Sequence, residues 1–436
     1  MRAAIRAGAD AVYFGLHGLN ARARAANFGI EDLEEVLAEL HAHGVRGYVA
    51  LNTLVFDHEL EGVERAIRAC ARAGVDALIV QDLGVARLAR AIAPGLPLHA
   101  STQMTCTDAG SVLLAKELGA SRVILARELS LDDIRDIRKN AEGIELEVFV
   151  HSALCVAYSG QCLTSEAIGG RSANRGACAQ ACRLPYELVV DGALRDLGDV
   201  AHLLSPEDLE ASALVPELMA IGVASLKIEG RLKGPDYVAA TTRLYRAAIE
   251  RASERAASER VVSEPASESS SALDALRTDA LAAYSRGSGP GFLLGVDHQR
   301  LVDGRNCDHR GLYAGSCAGV TSEPGRDWVR LAREIEIHKG DGLLIEGGKR
   351  APEVGGRVWE IEGDRVWLGP DVDVRRARLG ARVFKTSDPI REKATLARLA
   401  REPHRVAIDL RLEGCIGAQP TLSAVGERGV RARVTC

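Results

Sequence analysis

The sequence predicts an α/β protein: a TIM-type (β/α)8 barrel that lacks its first strand, followed by a small β-barrel-like domain. In roughly the first 235 residues, short apolar runs alternate with helical patterns of about 10–15 residues, which is typical of a parallel sheet with crossover helices. Farther along the chain, short strand-like runs are separated by glycine-rich turns, which indicates a small antiparallel module. The change from one pattern to the other predicts two folding units.

Seven apolar runs are predicted as strands of the barrel, against the alternative of a doubly wound open sheet. They are Ala11–Gly15, Gly47–Asn52, Ala77–Gln81, Pro97–Ser101, Arg122–Ala126, Glu145–His151 and Ser225–Glu229. Residues 1–10 carry a helical pattern, although a parallel α/β domain rarely opens on a helix. We therefore expect a fragment at both ends, which begins after a lost first strand and stops within a strand at residues 431–436.

The domain organisation follows from these patterns. Residues 1–250 are predicted to form the barrel domain, in which one connection, residues 152–224, is far longer than the usual length of about two to six residues. Residues 251–272 are rich in Ser, Glu and Ala and are predicted to be a linker. Residues 273–390 are predicted to be an accessory β-rich domain, and residues 391–436 the start of a further, truncated segment.

The composition sets limits on the class of protein. The chain has 436 residues, of which 47% are hydrophobic and 26% are charged, and a formal net charge of −5. These values are ordinary for a globular protein with a sizeable core, and the net charge gives no general reason to expect nucleic acid. The sequence has no apolar run of about 18 residues and no signal-peptide pattern, so we expect a cytoplasmic protein without a membrane span.

Polar side chains follow the predicted strands at the points where the strands end. Active sites of TIM-type barrels lie at these carboxyl ends, so the side chains are candidates for a polar pocket. Guanidinium and ammonium groups bind carboxylate and phosphate, so Lys227, Arg231 and Arg127 are predicted to hold an anionic substrate. Glu229 and His151 are candidates for proton transfer. In the alternative interpretation, Glu229 and Arg231 form a structural ion pair.

Four of the ten cysteines lie close together in the long connection. Their spacing is Cys155-x6-Cys162-x15-Cys178-x3-Cys182. In a cytosolic chain, clustered cysteines indicate metal or redox chemistry sooner than disulfides, and thiolates suit both zinc and iron–sulfur clusters. Structural zinc sites usually contain two short Cys-x2–4-Cys pairs, whereas only the Cys178–Cys182 pair is short here. The spacing favours an iron–sulfur cluster and leaves zinc and unligated thiols as alternatives.

Several long motifs carry a family resemblance. They are Ala4–Gly15, Glu147–Cys155, Tyr158–Ser165, Asn174–Gly176, Cys178–Gln180, Cys182–Arg183, Pro185–Tyr186 and Ser225–Arg231. In these motifs the chain resembles peptidase family U32, the collagenase-like proteases. It is most similar to the larger members with an appended C-terminal region, which include ribosomal RNA cytidine hydroxylases.

The resemblance implies a [4Fe–4S] cluster on Cys155, Cys162, Cys178 and Cys182. It also implies an RNA hydroxylase that works without molecular oxygen, with ribosomal RNA cytidine as the favoured substrate and transfer RNA uridine as the second. RNA and an electron donor are the expected partners, prephenate-derived chemistry is one source for the oxygen, and Gln103 is expected to read a base edge or a sugar hydroxyl. The accessory domain either docks RNA or only packs against the barrel.

The family name supplies the main alternative, a collagenase-like peptidase that hydrolyses peptide bonds. Its nucleophile would be Cys155 with His151 as the base, but one sulfur cannot easily serve both as a nucleophile and as a cluster ligand. The sequence contains neither a His-Glu-x-x-His zinc motif nor a Gly-x-Ser-x-Gly elbow. Hydroxylation of a small quinone precursor is a third hypothesis, and the appended domain argues against it.

Overall fold

The computed structural model describes residues 1–21, 25–230, 232–258, 268–348, 352–401, 408–417, 419–426 and 431–435. Arg231, one of the predicted site residues, lies outside these ranges. The described residues form one large sheet, a separate curled antiparallel sheet, a three-stranded sheet and a two-stranded hairpin.

Seven strands of the large sheet run parallel to one another. They are β1 (Ala11–Gly15), β2 (Arg46–Leu51), β3 (Ala77–Val80), β4 (Leu98–Ala100), β5 (Ala120–Ile124), β6 (Glu145–Ala153) and β10 (Ser225–Ile228). The first six pair in chain order, and β10 pairs with β6, so that Ile228 lies opposite His151. Each strand lies within two residues of its predicted bounds, which confirms the prediction of a parallel α/β fold.

Six helices alternate with these strands. They are α1 (Arg2–Arg6), α2 (Leu33–Ala42), α3 (Leu60–Ala73), α4 (Leu83–Ile92), α5 (Ala109–Glu117) and α6 (Leu131–Asn140). Asp82, Asp108 and Ser130 each accept backbone N–H bonds at a helix start, and Gly74 ends α3 with a left-handed φ of 76°. The apolar faces of the helices pack on the buried strands, and this packing fixes the strand ends that carry the candidate site.

The connection between β6 and β10 has structure of its own. It contains α7 (Thr164–Gly169), β7 (Leu188–Val190), β8 (Ala193–Arg195), β9 (Asp208–Glu210) and α8 (Val215–Ile221), with 3-10 turns at Ala173–Arg175, Ala181–Arg183 and Ser212–Leu214. β7 and β8 form the hairpin. β9 joins the large sheet antiparallel to β6, with Glu210 opposite His151. The inserted residues therefore extend the sheet beside the carboxyl end of β6.

The chain then continues through α9 (Pro235–Ser258), α10 (Glu268–Ala283), β11 (Ser288–Gly289) and α11 (His298–Leu301). β11 pairs with β9, and α9 packs against both α1 and α10. Helix thus occupies both ends of residues 251–272, the stretch predicted as a linker, and residues 259–267 lie outside the described ranges. The division of the chain into domains stays a prediction.

The separate antiparallel sheet has seven strands. They are β12 (Leu312–Glu323), β13 (Arg326–Arg333), β14 (Gly342–Ile345), β15 (Val354–Arg357), β16 (Glu360–Glu362), β17 (Arg365–Trp367) and β18 (Arg382–Ser387). Register shifts beside Gly315 and Gly319 bend β12, so the sheet curls around a core of its own. Its closure as a barrel stays a prediction.

After β18 the chain forms α12 (Pro389–Arg401) and then the three-stranded sheet of β19 (Ile408–Glu413), β20 (Thr421–Gly426) and β21 (Arg431–Thr435). The three strands pair antiparallel in chain order. β19 and β21 are exposed along their whole length.

Candidate active site

The four clustered cysteines lie on one segment, residues 155–183, which we call the cysteine loop. Cys155 follows the end of β6, Cys162 precedes α7, Cys178 lies between two 3-10 turns, and Cys182 lies within the second turn. Cys155 is exposed, the other three are partly exposed, and all four are free thiols. The sulfurs therefore remain available as ligands.

The first half of the cysteine loop is bound to the ends of β4 and β5. Ser159 donates to the Glu128 carboxylate from its backbone N–H (3.0 Å) and from its hydroxyl (2.8 Å), and the Thr105 hydroxyl donates to the Ser159 carbonyl at 2.6 Å. At Gly160, where φ is 76°, a Cβ atom would lie only 2.1 Å from the Gln103 carbonyl oxygen. Only glycine allows the loop to approach the strand end this closely.

The second half of the cysteine loop is bound near the end of β2. The Arg175 guanidinium donates to both carboxylate oxygens of Glu59 at 2.6 and 3.0 Å and lies over the Phe56 ring, 4.6 Å from its centroid. The hydrogen bonds from Arg175 lower the pKa of Glu59 to about 2, so the pair stays charged over the physiological range.

Arg183 connects the last cysteine to β6 and to the inserted residues. Its guanidinium donates to the Leu154 carbonyl at 3.1 Å, to the Ser205 hydroxyl at 2.7 Å and to the Pro206 carbonyl. Burial lowers the pKa of Arg183, as does the nearby Arg286 guanidinium, while the charges of Cys182 and Asp208 act in the opposite direction. A guanidinium beside a thiolate stabilises the negative charge that a metal-binding cysteine needs.

The four thiols also lie close enough to affect one another. Burial raises the pKa of Cys182, and the charges of Cys155, Cys178 and Cys162 raise it further. The Gln180 N–H donates to the Cys178 sulfur at 3.4 Å. The loop therefore brings the other three cysteine sulfurs within electrostatic range of Cys182.

The four thiols of the cysteine loop can be compared with the ligand sets of zinc and of an iron–sulfur cluster, the two metal sites that the cysteine spacing allows. No group of three or more His, Cys, Asp or Glu side chains in the described ranges is arranged to hold a metal ion. Four thiolates on one zinc ion lie about 4 Å apart, because each is about 2.3 Å from the metal. In a [4Fe–4S] cluster each cysteine binds a different iron, and the four free thiols of the cysteine loop match that ligand set in number and kind.

His151 lies in the sheet below the cysteine loop. Its Nδ1 is 3.3 Å from the Tyr245 hydroxyl, which donates to the Val150 carbonyl and accepts from the Ala211 N–H. Because the only hydroxyl proton goes to Val150, Nδ1 is the donor and Nε2 carries the lone pair. Burial lowers the pKa of His151 to about 4, so the ring is neutral. His151 and Cys155 share no hydrogen bond within the part of the chain that is described.

Lys227 lies inside the sheet and already has a carboxylate partner. Its ammonium is 2.7 Å from one Glu147 oxygen, and Arg122 donates to the other at 3.2 Å. Burial opposes ionisation of Glu147, but the two cations outweigh it and lower its pKa to about 2. Lys227 also lies over the Tyr13 ring, 3.8 Å from the centroid. The Lys227 ammonium, which was predicted to hold an anionic substrate, is thus already bound to Glu147 in a buried ion pair.

Three buried polar atoms at the carboxyl ends of β4, β5 and β6 have no partner among the described residues. They are Gln103 Oε1, Arg127 Nε and Ser152 Oγ, after β4, after β5 and near the end of β6. Arg127 is otherwise fixed, since it donates to the Ala153 carbonyl at 2.7 Å and lies over the Phe149 ring at 4.0 Å. Unsatisfied buried polar groups are rare, so these three atoms mark a place for a polar ligand or water.

Glu229 follows the end of β10 and is half-buried. Its N–H donates to the His151 carbonyl at 2.9 Å, and its carbonyl accepts from the Tyr237 hydroxyl at 3.1 Å. The backbone thus holds Glu229 next to His151. Arg231 lies outside the described ranges, so its substrate contact and its ion pair with Glu229 stay predictions.

The sequence did not single out a second group of side chains nearby. The Lys233 ammonium lies over the Tyr284 ring, 2.6 Å from its centroid, and 5.7 Å from the Tyr237 ring centroid. Arg286 pairs with Asp208 through a buried, multiply bonded contact. Sequence reasoning could have found Lys233, because it lies just after the Ser225–Arg231 motif. No local pattern indicates that Tyr284 and Asp208 lie near Lys233.

The comparison with known proteins fits this arrangement. The family description "Peptidase family U32" matches residues 1–303. The chain belongs to peptidase family U32. This confirms the resemblance carried by the cysteine-loop and strand motifs.

Characterised U32 relatives carry two kinds of name. A 23S rRNA 5-hydroxycytidine synthase of Escherichia coli is 45% identical over 249 residues, which is 57% of this chain and 37% of that protein. A tRNA hydroxylation protein of Helicobacter pylori is 38% identical over 260 residues, 57% of this chain and 62% of that protein. A collagenase of Porphyromonas gingivalis is 33% identical over 410 residues, 90% of this chain and 92% of that protein.

The U32 chain thus spans little more than a third of the length of the first of these relatives, and less than two thirds of the second. None of the helices in the described ranges is long and apolar enough to cross a membrane.

Proposed function

We propose that this U32 protein is an iron–sulfur-dependent, oxygen-independent RNA hydroxylase, with ribosomal RNA cytidine as its favoured substrate. The observation that carries the proposal is the set of four free thiols, Cys155, Cys162, Cys178 and Cys182, on a loop that is hydrogen-bonded to the carboxyl ends of the parallel strands. The names of the Escherichia coli and Helicobacter pylori relatives support RNA hydroxylation as the reaction. Transfer RNA uridine is the second substrate.

Each predicted residue has a role in this proposal. A [4Fe–4S] cluster on the four cysteines would supply one-electron chemistry when bound. The unsatisfied atoms of Gln103, Arg127 and Ser152 would bind the base or sugar, since a site built to hydrogen-bond a substrate leaves such atoms unpaired without it. His151, neutral and with its Nε2 lone pair free of Tyr245, would accept a proton, and Glu229 is held beside it.

Lys227 would act through electrostatics from inside the sheet, because Glu147 already occupies its ammonium. Arg231 would hold an anionic part of the substrate. An electron donor would be a partner, prephenate-derived chemistry is one source of the oxygen, and the cytoplasm, where ribosomal and transfer RNA are found, would be the place of action.

We also propose that the parallel sheet is the wall of a TIM-type barrel. The support is the approach of its first and last strands: the Tyr13 hydroxyl of β1 donates to the Ile228 carbonyl of β10 at 3.3 Å. β1 and β10 lie at opposite ends of the series of parallel strands, so the sheet must curl strongly to bring these two residues together. The cysteine loop would then cover the end of the barrel where active sites form.

Peptide hydrolysis is the second candidate function, because the Porphyromonas gingivalis relative is named a collagenase. It requires Cys155 as the nucleophile and His151 as its base. A nucleophile and its base lie within hydrogen-bonding distance, whereas the buried His151 and the exposed Cys155 share no hydrogen bond in the described part of the chain. The geometry therefore favours the hydroxylase.

The test combines anaerobic purification with RNA analysis. We expect about four irons and four sulfides per chain and broad absorbance near 400 nm, all lost in Cys178→Ser. Nucleoside mass spectrometry of ribosomal and transfer RNA from a deletion strain should show a missing hydroxylated nucleoside that the wild-type gene restores and Cys178→Ser does not. Stoichiometric zinc would contradict the cluster, and an unchanged nucleoside profile with collagen cleavage by the purified protein would replace this proposal by the peptidase.

A further inference from the structure

We propose that Lys233, Tyr237 and Tyr284 form an anion subsite beside the cysteine loop, which binds an oxyanion of the substrate, either an RNA phosphate or the carboxylate of a small co-substrate. The inference rests on the proposed function for its substrate, but not for its geometry. The subsite lies five residues after the end of β10, at the same end of the sheet as the four cysteines.

Two tyrosine rings hold the Lys233 ammonium in place. Tyr284 lies directly against it and Tyr237 flanks it, and the two rings meet edge to face with their centroids 6.3 Å apart. Tyr237 is buried and its hydroxyl donates to the Glu229 carbonyl at 3.1 Å. Aromatic faces attract a cation without neutralising it, so the positive charge remains available to a ligand.

The Lys233 backbone N–H donates to the Gly230 carbonyl, but its ammonium forms no ion pair or hydrogen bond with any residue in the described ranges. The carboxylate whose charge acts most on Lys233, that of Asp208, is bonded to Arg286, whose Nε lies 3.1 Å from it in a contact that is about 90% buried on both sides. Burial lowers the pKa of Lys233 to about 8; Arg286 adds to this effect, and Asp208 and Glu229 oppose it. At neutral pH the side chain is thus mostly a charged, partly desolvated ammonium that lacks an anion.

The neighbouring arginines serve other groups. Arg183 lies within electrostatic range of Cys182 and Cys155, and Arg286 is bonded to Asp208. None of the cysteines is among the charges that affect Lys233. Lys233 is therefore a cation separate from the sulfurs, and it can hold a substrate anion without drawing on the cysteines.

The tyrosine over Lys233 is fixed by the antiparallel sheet. His309 stacks on Tyr284 with ring centroids 5.0 Å apart, and its Nε2 donates to the Thr386 carbonyl of β18 at 2.9 Å. Its Nδ1 lies 3.1 Å from both the backbone nitrogen and the carbonyl oxygen of Ser285, and burial lowers the pKa of the ring. A rigid aromatic wall suits a preformed binding site, since little ordering is left for the ligand to impose.

The test measures anion binding directly by isothermal titration of the anaerobically purified full chain. The probes are a 12-nucleotide oligouridylate and malonate, titrated into wild type, Lys233→Met, Lys233→Arg and the control Lys139→Met, which removes an exposed lysine of α6. Lys233→Met keeps the apolar stem against the two rings, and Lys233→Gln serves as a second neutral variant if the first unfolds.

We expect both neutral variants to weaken binding of one probe about 10- to 100-fold, the effect of losing one charge-assisted hydrogen bond. The arginine variant should keep most of the affinity, and the control all of it. Loss of oligouridylate binding, with a salt dependence lowered by about one ion, identifies a phosphate subsite, and loss of malonate binding identifies a carboxylate subsite.

Equal affinities of all variants for both probes, or no binding of either probe to the wild type, would overturn the subsite. The titration needs no turnover, so its outcome is separate from that of the proposed function. If the RNA of the deletion strain is unchanged while Lys233 still controls binding, the hydroxylase proposal fails and the subsite stands.

Discussion

Inside the parallel sheet, Lys227, Glu147 and Arg122 satisfy one another's charges, whereas the cysteine loop is held by small groups of polar contacts at separate strand ends. The ion network is almost completely buried, with exposed side-chain fractions of 3–9%. The cysteine loop contributes few core residues and keeps its thiols at the surface. The first region resembles a structural core and the second a preformed ligand site.

The buried ion network and the cysteine loop should therefore respond differently to mutation. A buried charge network is strongly coupled, because removal of one partner leaves another charge without compensation. A loop fixed at several separate points loses little global stability when one contact is removed, and its chemistry depends on the ligands it presents. Mutations in the two regions should therefore separate stability from cofactor binding.

The largest effect is expected from Cys182→Ser, which should remove the cluster and leave the fold intact. Iron content should fall from about four to below about one per chain, with the visible absorbance lost, because one of four ligands is gone. The far-UV spectrum and the melting temperature of the cluster-free protein should match the wild type treated with a chelator. Cys415→Ser, at an exposed cysteine outside the loop, should keep the full iron content.

The Cys182→Ser variant also distinguishes the hydroxylase from the peptidase. A peptidase with Cys155 as its nucleophile would keep its activity in Cys182→Ser, whereas a cluster-dependent hydroxylase would lose it. Full iron in this variant would contradict the four-cysteine site.

The second effect concerns stability. Glu147→Gln should lower the free energy of unfolding by about 3–5 kcal/mol, since it leaves Lys227 and Arg122 buried without their shared carboxylate. Urea denaturation of the cluster-free chain measures this loss. The matched control is Glu145→Gln, which removes the exposed partner of Arg122 and should cost about 1 kcal/mol or less. Equal losses in the two variants would show that the network is not a coupled unit.

A smaller, local effect is expected from Arg175→Met, which removes the bidentate pair with Glu59 and the contact over Phe56. A partly exposed pair of this kind contributes about 1 kcal/mol, so hydrogen exchange in residues 173–183 should become about fivefold faster with little change in global stability. Arg171→Met, an exposed arginine of the same loop, is the control. Unchanged exchange would mean that the first half of the loop suffices to hold it.

The strand pattern of the parallel sheet could be predicted from the sequence because each strand is a short apolar run that ends on a polar residue. The same regularity placed Gln103, Arg127 and His151 at the carboxyl ends of neighbouring strands. Their positions relative to one another could be predicted from the chain order of β4, β5 and β6 alone. The cysteine spacing likewise needs only local sequence.

The partners of these side chains could not be predicted, because each comes from a distant part of the chain. Glu147 and Lys227 are 80 residues apart, and His151 and Tyr245 are 94 apart. Lys227 looked like a substrate ligand at a strand end, but the register of β10 against β6 turns its ammonium to Glu147 inside the sheet. Such contacts depend on register and helix packing, which local patterns do not encode.

The smallest effect concerns Glu207, beside β9 where the inserted residues meet the antiparallel sheet. Burial raises the pKa of its carboxyl to about 7, and the charges of Asp303 and Asp208 add to the shift, whereas Arg382 opposes it. The folded state therefore binds the proton more tightly than the unfolded chain does. Stability should fall as the pH rises from about 4.5 to about 7, and the full penalty should remain above that range.

Glu207→Gln removes this penalty. We expect it to raise the free energy of unfolding at pH 8 by about 1 kcal/mol, a value reduced because solvent screens the partly exposed carboxyl, and to leave it unchanged at pH 4. Urea denaturation at the two pH values measures both. Glu142→Gln, at an exposed site, should show no such pH dependence. A gain of equal size at both pH values would point to packing of the amide as the cause, because an ionisation effect must disappear where the carboxyl is protonated in both states.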